Sequence, residues 1–235
     1  MKPLAFAAAG LCVLLTGCGV TFNADPGPVM SESKEVDAGK VEAVRAEIKM
    51  SAGELKLEGG APKLLVANFK YSENLGRPDV RYDATGFRGN LTVESPKKSA
   101  SGNVKNIWDL KMGPTVPIDL VITLGAGESK MDLSSMPLKS VSVQMGAGQI
   151  ELNLAGKYTR DVEVNINGGV GQANIKLPKD VGVIANAKGG IGVVNVTGLE
   201  KRDGTYYNAA YAAGKPAIKL DVKGGVGEIN MRVVD

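Results

Sequence analysis

The sequence predicts an all-β fold: a β-solenoid, a parallel β-helix-like stack with rungs of about 21–23 residues and glycine corners. Three observations predict it. A short glycine turn recurs six times, as SAGEL from Ser51, GAGES from Gly125, GAGQI from Gly146, GGVGQ from Gly168, GGIGV from Gly189 and GGVGE from Gly224. The last glycines are Gly53, Gly127, Gly148, Gly171, Gly192 and Gly227, and the four central ones lie 21, 23 and 21 residues apart. The runs on either side alternate apolar and polar residues, the signature of half-buried strands. Finally, the apolar phase slips at every turn. Val141, Val143 and Met145 give way to Ile150, Leu152 and Leu154 across Gly146–Gly148, and the same slip recurs around the other turns. Such a slip marks a corner that keeps its apolar side inward, and glycine accepts the positive φ a corner needs.

The elements follow in chain order. Residues 1–17 read as a lipoprotein signal peptide: Met1-Lys2 supplies the positive start, and Leu4–Thr16 is an apolar run of 13 residues. That run is shorter than the roughly 20 residues that span a bilayer. Leu15-Thr16-Gly17-Cys18 looks like a bacterial lipobox, in which Cys18 is the site of lipid attachment (a palmitate-type acyl anchor); the bland alternative is an ordinary signal peptide that happens to hold a cysteine. Cys12 leaves with the signal, so the mature chain has no disulfide. Residues 18–40, rich in Pro, Gly, Ser and acidic residues, read as a lipidated flexible tether. An uncharged Gly19 after the cysteine resembles an outer-membrane sorting pattern, should the host have an outer membrane.

Residues 41–112 form an N-terminal β region. After the first glycine turn, 63–71, 78–84 and 90–94 read as strands separated by turns at Asn74–Pro78 and Ala84–Gly86. Pro96–Gly102 is a polar loop, and 104–112 is a strand that carries the single tryptophan, Trp108, expected in the core. Residues 113–235 form the repeat solenoid, continuous with the part before it. Rungs in such a coil stack about 4.8 Å apart. Stacking places Lys130 against Glu151 and lines up Asn174, Asn195 and Asn230 as an amide ladder; a meander of hairpins, the competing arrangement, loses that register. Gly192 and Gly227 stand 35 residues apart, one rung plus a surplus at 200–215 that holds Tyr206, Tyr207 and Tyr211. Hydrophobic solenoid ends need caps. The irregular N-terminal strands can cap one end, while the other, expected near Val233–Asp235, has none and invites an oligomer.

Composition narrows the function classes. Lys and Arg total 28 against 25 acids, with no block of five basic residues, which leaves no footing for nucleic acid. The chain has no histidine, which removes the commonest general base and the commonest transition-metal ligand. The Asn90-Leu91-Thr92 and Asn195-Val196-Thr197 sequons carry no glycosylation expectation in a bacterial lipoprotein. The GGVG and GGIG turns precede strands, not helices, which argues against a phosphate loop. Calcium-binding β-rolls carry aspartate where this chain has Ala173, Val194 and Ile229, so no metal and no cofactor is expected. Asp132, Glu151, Asp161 and Glu163 fall on scattered outward positions and read as a solvated face; a carbohydrate-active β-helix enzyme would need two acids within about 5–10 Å in a cleft. The insert at 201–214 is the best binding candidate, with Tyr206, Tyr207 and Tyr211 as its contact residues, because tyrosine offers broad amphipathic contact area that stacks on sugars or peptides; the competing reading is a loop that packs its rings on the solenoid wall.

AEIKMSAGELKLEGGAPKLLVANFKY (46–71), followed by RPDVRYDATGFRGNLTV (77–93), resembles the N-terminal toast-rack domain of bacterial envelope proteins. IWDLKMGPTVPIDLVITLGAGESKMDLSSMPLKSVSVQMGAGQIELNL (107–154) is similar to the continuation of that family. The C-terminal half is similar to the LiaF-type cell-wall-antibiotic-response domain and to candidate β-helical adhesins. The resemblance covers about 41–235 and implies a stacked all-β fold in the envelope, with no catalytic residues to carry over. Together these readings lead to the expectation of a non-enzymatic, lipid-anchored binding or scaffold module. Its partners are the membrane, through lipid on Cys18, and cell-wall glycan or an envelope protein. The alternatives are a LiaF-like regulator of envelope-stress signalling, a role that the lipobox and lack of transmembrane helices set apart from that family, and the β-helix enzyme.

Overall fold

The computed structural model describes residues 27–97 and 104–235. The signal peptide, Cys18, the first part of the tether and most of the Pro96–Gly102 loop lie outside the described residues. Thirteen strands form one sheet: β1 (Val29–Val36), β2 (Ala43–Gly59), β3 (Leu65–Ser72), β4 (Asp79–Asp83), β5 (Arg88–Glu94), β6 (Asn106–Met112), β7 (Ile118–Asp132), β8 (Leu138–Asn153), β9 (Val162–Pro178), β10 (Gly182–Thr197), β11 (Glu200–Arg202), β12 (Thr205–Tyr207) and β13 (Ala217–Val234). A four-residue helix, α1 (Ala209–Ala212), and a single 3₁₀ turn, Glu73–Leu75, complete the described elements.

Six of the strands are long and bent at their glycines. β2, β7, β8, β9, β13 and β10 pair in parallel, in that order, so each supplies two arms of one rung. The sheet stays open, because the return turns at 133–137 and 154–161 carry no strand. The corner glycines stand in a column, Gly53–Gly127–Gly148–Gly171–Gly227–Gly192. Gly148 has φ +131° and Gly171 φ +142°. A Cβ on Gly171 would land on the Gly148 carbonyl oxygen, and one on Gly148 on the Gly127 oxygen. Glycine is therefore required twice over, by the dihedral and by the approach of one backbone to the next.

Inside the wedge, apolar columns run the length of the stack. Ile48, Ile122, Val143, Ile166, Val222 and Ala187 line the first arm, and Leu57, Met131, Leu152, Ile175, Met231 and Val196 the second. All but Ala187 and Val196, both on β10, are buried. Each fully buried aliphatic side chain contributes about 1.5–3 kcal/mol. The phase slip read from the sequence is the means by which both arms point these residues inward.

Two expectations need correction. Val29–Val36, read as part of a flexible tether, is a strand that pairs antiparallel with β3 through all eight residues. Its alternation of Ser and charged residues hid it, because an outermost strand has no core face to demand apolar residues. The rung order also departs from chain order. β13 is inserted between β9 and β10, so Val233–Asp235 is not the uncapped end. The rung that ends the stack is β10. The spacing of Gly171 and Gly192 equals one rung, which made β9 and β10 look adjacent; the inward side chains decide otherwise. β13 carries Ile218, Leu220, Val222, Ile229 and Met231, all buried, whereas β10 carries Val183, Ala185, Ala187, Val194 and Val196. The bulkier set takes the slot with a neighbour on both sides.

The other end is closed by the irregular strands. β5 and β6 pair with the two arms of β2, β3 adds to β6, and β4 adds to β5. Trp108 on β6 is wholly buried, edge-on to Phe69 at 5.5 Å. Its Nε1 donates to Asn106 Oδ1 at 2.8 Å, and Asn106 Nδ2 donates to the Ala52 carbonyl at 2.6 Å, which ties this cap to the first corner.

Within one glycine turn, two substitutions separate the causes. Gly168 has a negative φ, and a Cβ there meets nothing closer than 3.9 Å. Gly168→Ala is expected to raise stability by about 0.5–1 kcal/mol. Gly171→Ala, three residues away, is expected to cost roughly 3 kcal/mol or more. Denaturant titration of both variants checks this, and equal effects would show that the corner column is not under the stated constraint.

Candidate binding face

The outward residues of the second arms form three columns down the stack. The first reads Glu54, Glu128, Gln149, Gln172, Glu228 and Val193. The second reads Lys56, Lys130, Glu151, Asn174, Asn230 and Asn195, and the third Glu58, Asp132, Asn153, Lys176, Arg232 and Thr197. The predicted ladder is present in the second column. Lys130 Nζ lies 3.3 Å from Glu151, Asn195 Nδ2 donates to Asn230 Oδ1 at 2.9 Å, and Asn230 Nδ2 donates to Asn174 Oδ1 at 2.9 Å. Asn230 sits between the other two because β13 is inserted. Each amide lines up with the next only because the rungs are in register and parallel.

These columns border a groove of about 600 Å³. Glu58, Lys130, Asp132 and Glu151 line it toward β2, and Asn174, Asn195 and Asn230, flanked by Lys176 and Arg232, toward β10. The middle column thus changes from charged to amide along its length, while Lys176 and Arg232 keep a positive border beside the amides. Gln172 Nε2 and Asn195 Nδ2 both donate to Glu228, at 2.9 Å each, so the amides are held by one another and by a neighbouring carboxylate. Burial pushes the Asp132 carboxyl up, but donors from the Ser134 hydroxyl and N–H, the Asn153 amide and the Lys176 charge outweigh it. The net result holds Asp132 below the ordinary carboxylate range. A general acid needs the opposite shift.

The other acids singled out in the sequence lie elsewhere. Asp161 pairs with Lys219 at 2.8 Å and accepts from the Ala217 N–H at 3.0 Å, which pins the start of β13. Glu163 is on the outer face of the first arm. Asp132 and Glu151 do share the groove, with Glu151 engaged by Lys130. No cluster of three metal-ligating side chains occurs among the described residues.

The tyrosine insert folds back on the stack. β12 pairs with β10 at Ile184 and Ala185, and β11 pairs with β12, which covers the first arm of the last rung. Tyr206, opposite inward-facing Ala185, packs against the core, with Lys201 Nζ 5.2 Å from its ring centre. Tyr207 points the other way and meets Tyr211 at 5.3 Å with the rings tilted 34°. Tyr211 walls a hollow of about 290 Å³ with Glu163, Asn165, Asn186, Lys219 and Asp221. The three tyrosines therefore do not share one surface. The Tyr211 hollow lies on the outer face of the first arms and the amide groove on that of the second, so the two are separate sites.

Asn208 holds the insert in place. Its Oδ1 accepts from the Val183 N–H at 2.8 Å and from the Tyr211 N–H at 3.0 Å, where it caps α1. Its Nδ2 donates to the Val181 carbonyl at 2.8 Å and the Pro178 carbonyl at 3.2 Å. Sequence reasoning passed over this residue, since an asparagine in a polar loop carries no special pattern. It also treated the amide ladder only as a mark of stacking; the signal for the groove was the same set of residues with their flanking columns.

Comparison with known proteins adds three findings. The family model for the N-terminal domain of toast-rack proteins (DUF2154) matches residues 25–176. A crystal structure of a candidate cell adhesion protein from Clostridium sporogenes ATCC 15579 is 33% identical, with a TM-score of 0.85, and the alignment covers 88% of this chain and 100% of that one. Candidate adhesins from Bacteroides fragilis NCTC 9343 and Parabacteroides merdae ATCC 43184 align over 88% and 89% of this chain and 97% of each of theirs. Their identities are 14% and 11% and their TM-scores 0.33 and 0.27. No curated protein matches the chain at a significant level.

Asn208→Ala should strand the Val183 N–H and the Val181 carbonyl in a buried site and cost about 1–3 kcal/mol. Hydrogen exchange is expected to show the Val183 amide and the insert opening while the amides around Gly148 stay protected. Unchanged protection at Val183 would mean that the insert is held by its strand pairing alone.

Proposed function

The chain belongs to the toast-rack N-terminal domain family, and on that premise we propose that it is a non-enzymatic, adhesin-like module of the bacterial cell envelope that binds cell-wall glycan along its amide-rich face. The observation that carries this reading is the groove whose wall is a rung-spaced row of Asn174, Asn230 and Asn195. A primary amide both donates and accepts, so such a row suits a linear polymer that repeats hydroxyl and acetamido groups. The description of the C. sporogenes relative as a candidate cell adhesion protein supports a binding role.

The lowered Asp132 carboxyl and the ion-paired Glu151 support binding over hydrolysis, because neither is placed to donate a proton. Envelope location rests on the lipobox at Cys18 together with the family. None of the described helices is long and apolar enough to cross a membrane. Lipid on Cys18 would tether the chain through its N-terminal side; β1 and β10 are the two ends of the strand order.

Co-sedimentation with insoluble cell-wall glycan tests the proposal. Each lost hydrogen bond is worth about 1 kcal/mol, so the double variant Asn174→Ala/Asn230→Ala should bind roughly tenfold more weakly or worse. Tyr211→Ala should bind as the unaltered chain does. Binding that depends on Tyr211 and ignores the asparagines would move the site to the insert. No glycan binding, with a signalling kinase recovered from cells instead, would replace this reading with the regulatory one.

A further inference from the structure

The end of the stack at β10 is unfinished. β10 pairs with β13 along its full length on one side. On the other side, among the described residues, it pairs only at Ile184 and Ala185, with β12. The second arm, Gly192–Thr197, therefore presents a bare row of N–H and carbonyl groups. Its inward Val194 and Val196 are only partly buried, whereas Ile229 and Met231 beside them on β13 are buried. The core runs out to solvent here.

Three further features fall at the same place. The corner-tip column changes from Ala52, Ala126 and Ala147 to Val170, Val226 and Ile191 as it nears this end. Val170, Val226 and Ile191 are 57%, 46% and 74% exposed, and Val193 beside them is 56% exposed. Next to the tip, the inward corner position changes from Met50, Leu124 and Met145 to Gly168, Gly224 and Gly189, which leaves a narrow apolar slot of about 40 Å³. Lastly, the stretch 189–199 contains no charged residue and no proline. Proteins that keep an edge strand solitary guard it with lysine, proline or a bulge. The far edge is guarded in that way, since β1 displays Glu32, Lys34 and Glu35.

We propose that the second arm of β10 is a docking edge for a second copy of this chain, joined edge to edge about a two-fold axis. The two ends of the stack decide between the arrangements. Head-to-tail stacking would seat the uncharged β10 edge on the charged β1 edge, which strands charges against an apolar end. Two β10 edges match each other: neutral on neutral, with Val194 and Val196 of each copy shielded by the other. A two-fold axis makes the new pair antiparallel and closes the assembly at two copies. The β12 cover on the first arm confines the pairing to Gly192–Thr197, which places the axis on that arm.

The test uses the full chain expressed in bacteria, with single cysteines introduced at Val193, Val194, Asn195 and Val196 in turn. Directly opposed residues of an antiparallel pair lie about 4.5–5.5 Å apart, within disulfide range. Mild oxidation should give a band of twice the chain mass for one or two neighbouring positions, above the background set by Cys12 and Cys18 in the unaltered chain. Ser33→Cys, on β1, should give none. Val193→Lys should shift the detergent-solubilised chain from dimer to monomer in sedimentation, with a dissociation constant raised at least about tenfold and an unchanged circular dichroism spectrum. Three results would overturn the assignment. They are no crosslink at any β10 position with a monomeric mass, a crosslink only when a β10 cysteine is mixed with Ser33→Cys, and a crosslinked band that contains a different protein.

Discussion

The stack depends on backbones meeting at the corner. Where β7, β8, β9, β13 and β10 turn, the glycine α-carbon of each rung sits against the carbonyl of the rung before it, with no room for a side chain between. This contact fixes the register of both arms at once, since the residues on either side are counted from it. The inward aliphatic columns, the outward amide column and the alignment of Lys130 with Glu151 all inherit that register. A slip of one residue at any corner would turn the apolar residues of one arm outward. Burial supplies most of the stabilisation, and the glycines decide which burial is possible.

The same register lets the chain place its rungs out of order. β9 ends at Pro178 and β10 starts at Gly182, yet they leave a slot between them that the last strand fills. Three linking residues can span about 10 Å, the distance of two strand spacings. The insert that follows β10 then returns the chain to the open slot and covers the first arm of β10 on the way. The C-terminal strand therefore closes long sequence separations, Val162 to Ile218 and its neighbours in register, second only to the pairing of β2 with β7. Folding of the β9–β13–β10 unit has to wait for the whole chain.

The outward faces carry the chemistry because the interior is committed to packing. In-register stacking turns a single outward asparagine into a row, and a row can meet a polymer. At the β2 end the same columns carry Glu58, Lys130 and Asp132, which engage Lys56, Glu151 and Asn153 respectively. At the β10 end the middle column carries amides, with Lys176 and Arg232 beside it. The tyrosines are spent differently: Tyr206 on the core, Tyr207 and Tyr211 on each other. Their position over the first arm of the last rung makes the insert a partial cap, held by the buried amide of Asn208.

Much was legible without coordinates. Period, phase slip and glycine placement determined the stacked all-β fold, the corner residues, the core positions of each arm and the amide ladder, because each follows from local geometry repeated at a fixed interval. Trp108 in a strand with Leu110 determined a core residue in the same way. The strand at Val29–Val36 was not legible, because a charged outer strand looks like a polar linker until its partner β3 is in place. Nor was the slot order of β10 and β13: every rung has the same length and register, so spacing does not distinguish neighbours. Only the assembled core decides it, by giving the two-sided slot to the rung with the larger inward side chains and leaving the smaller one at the edge.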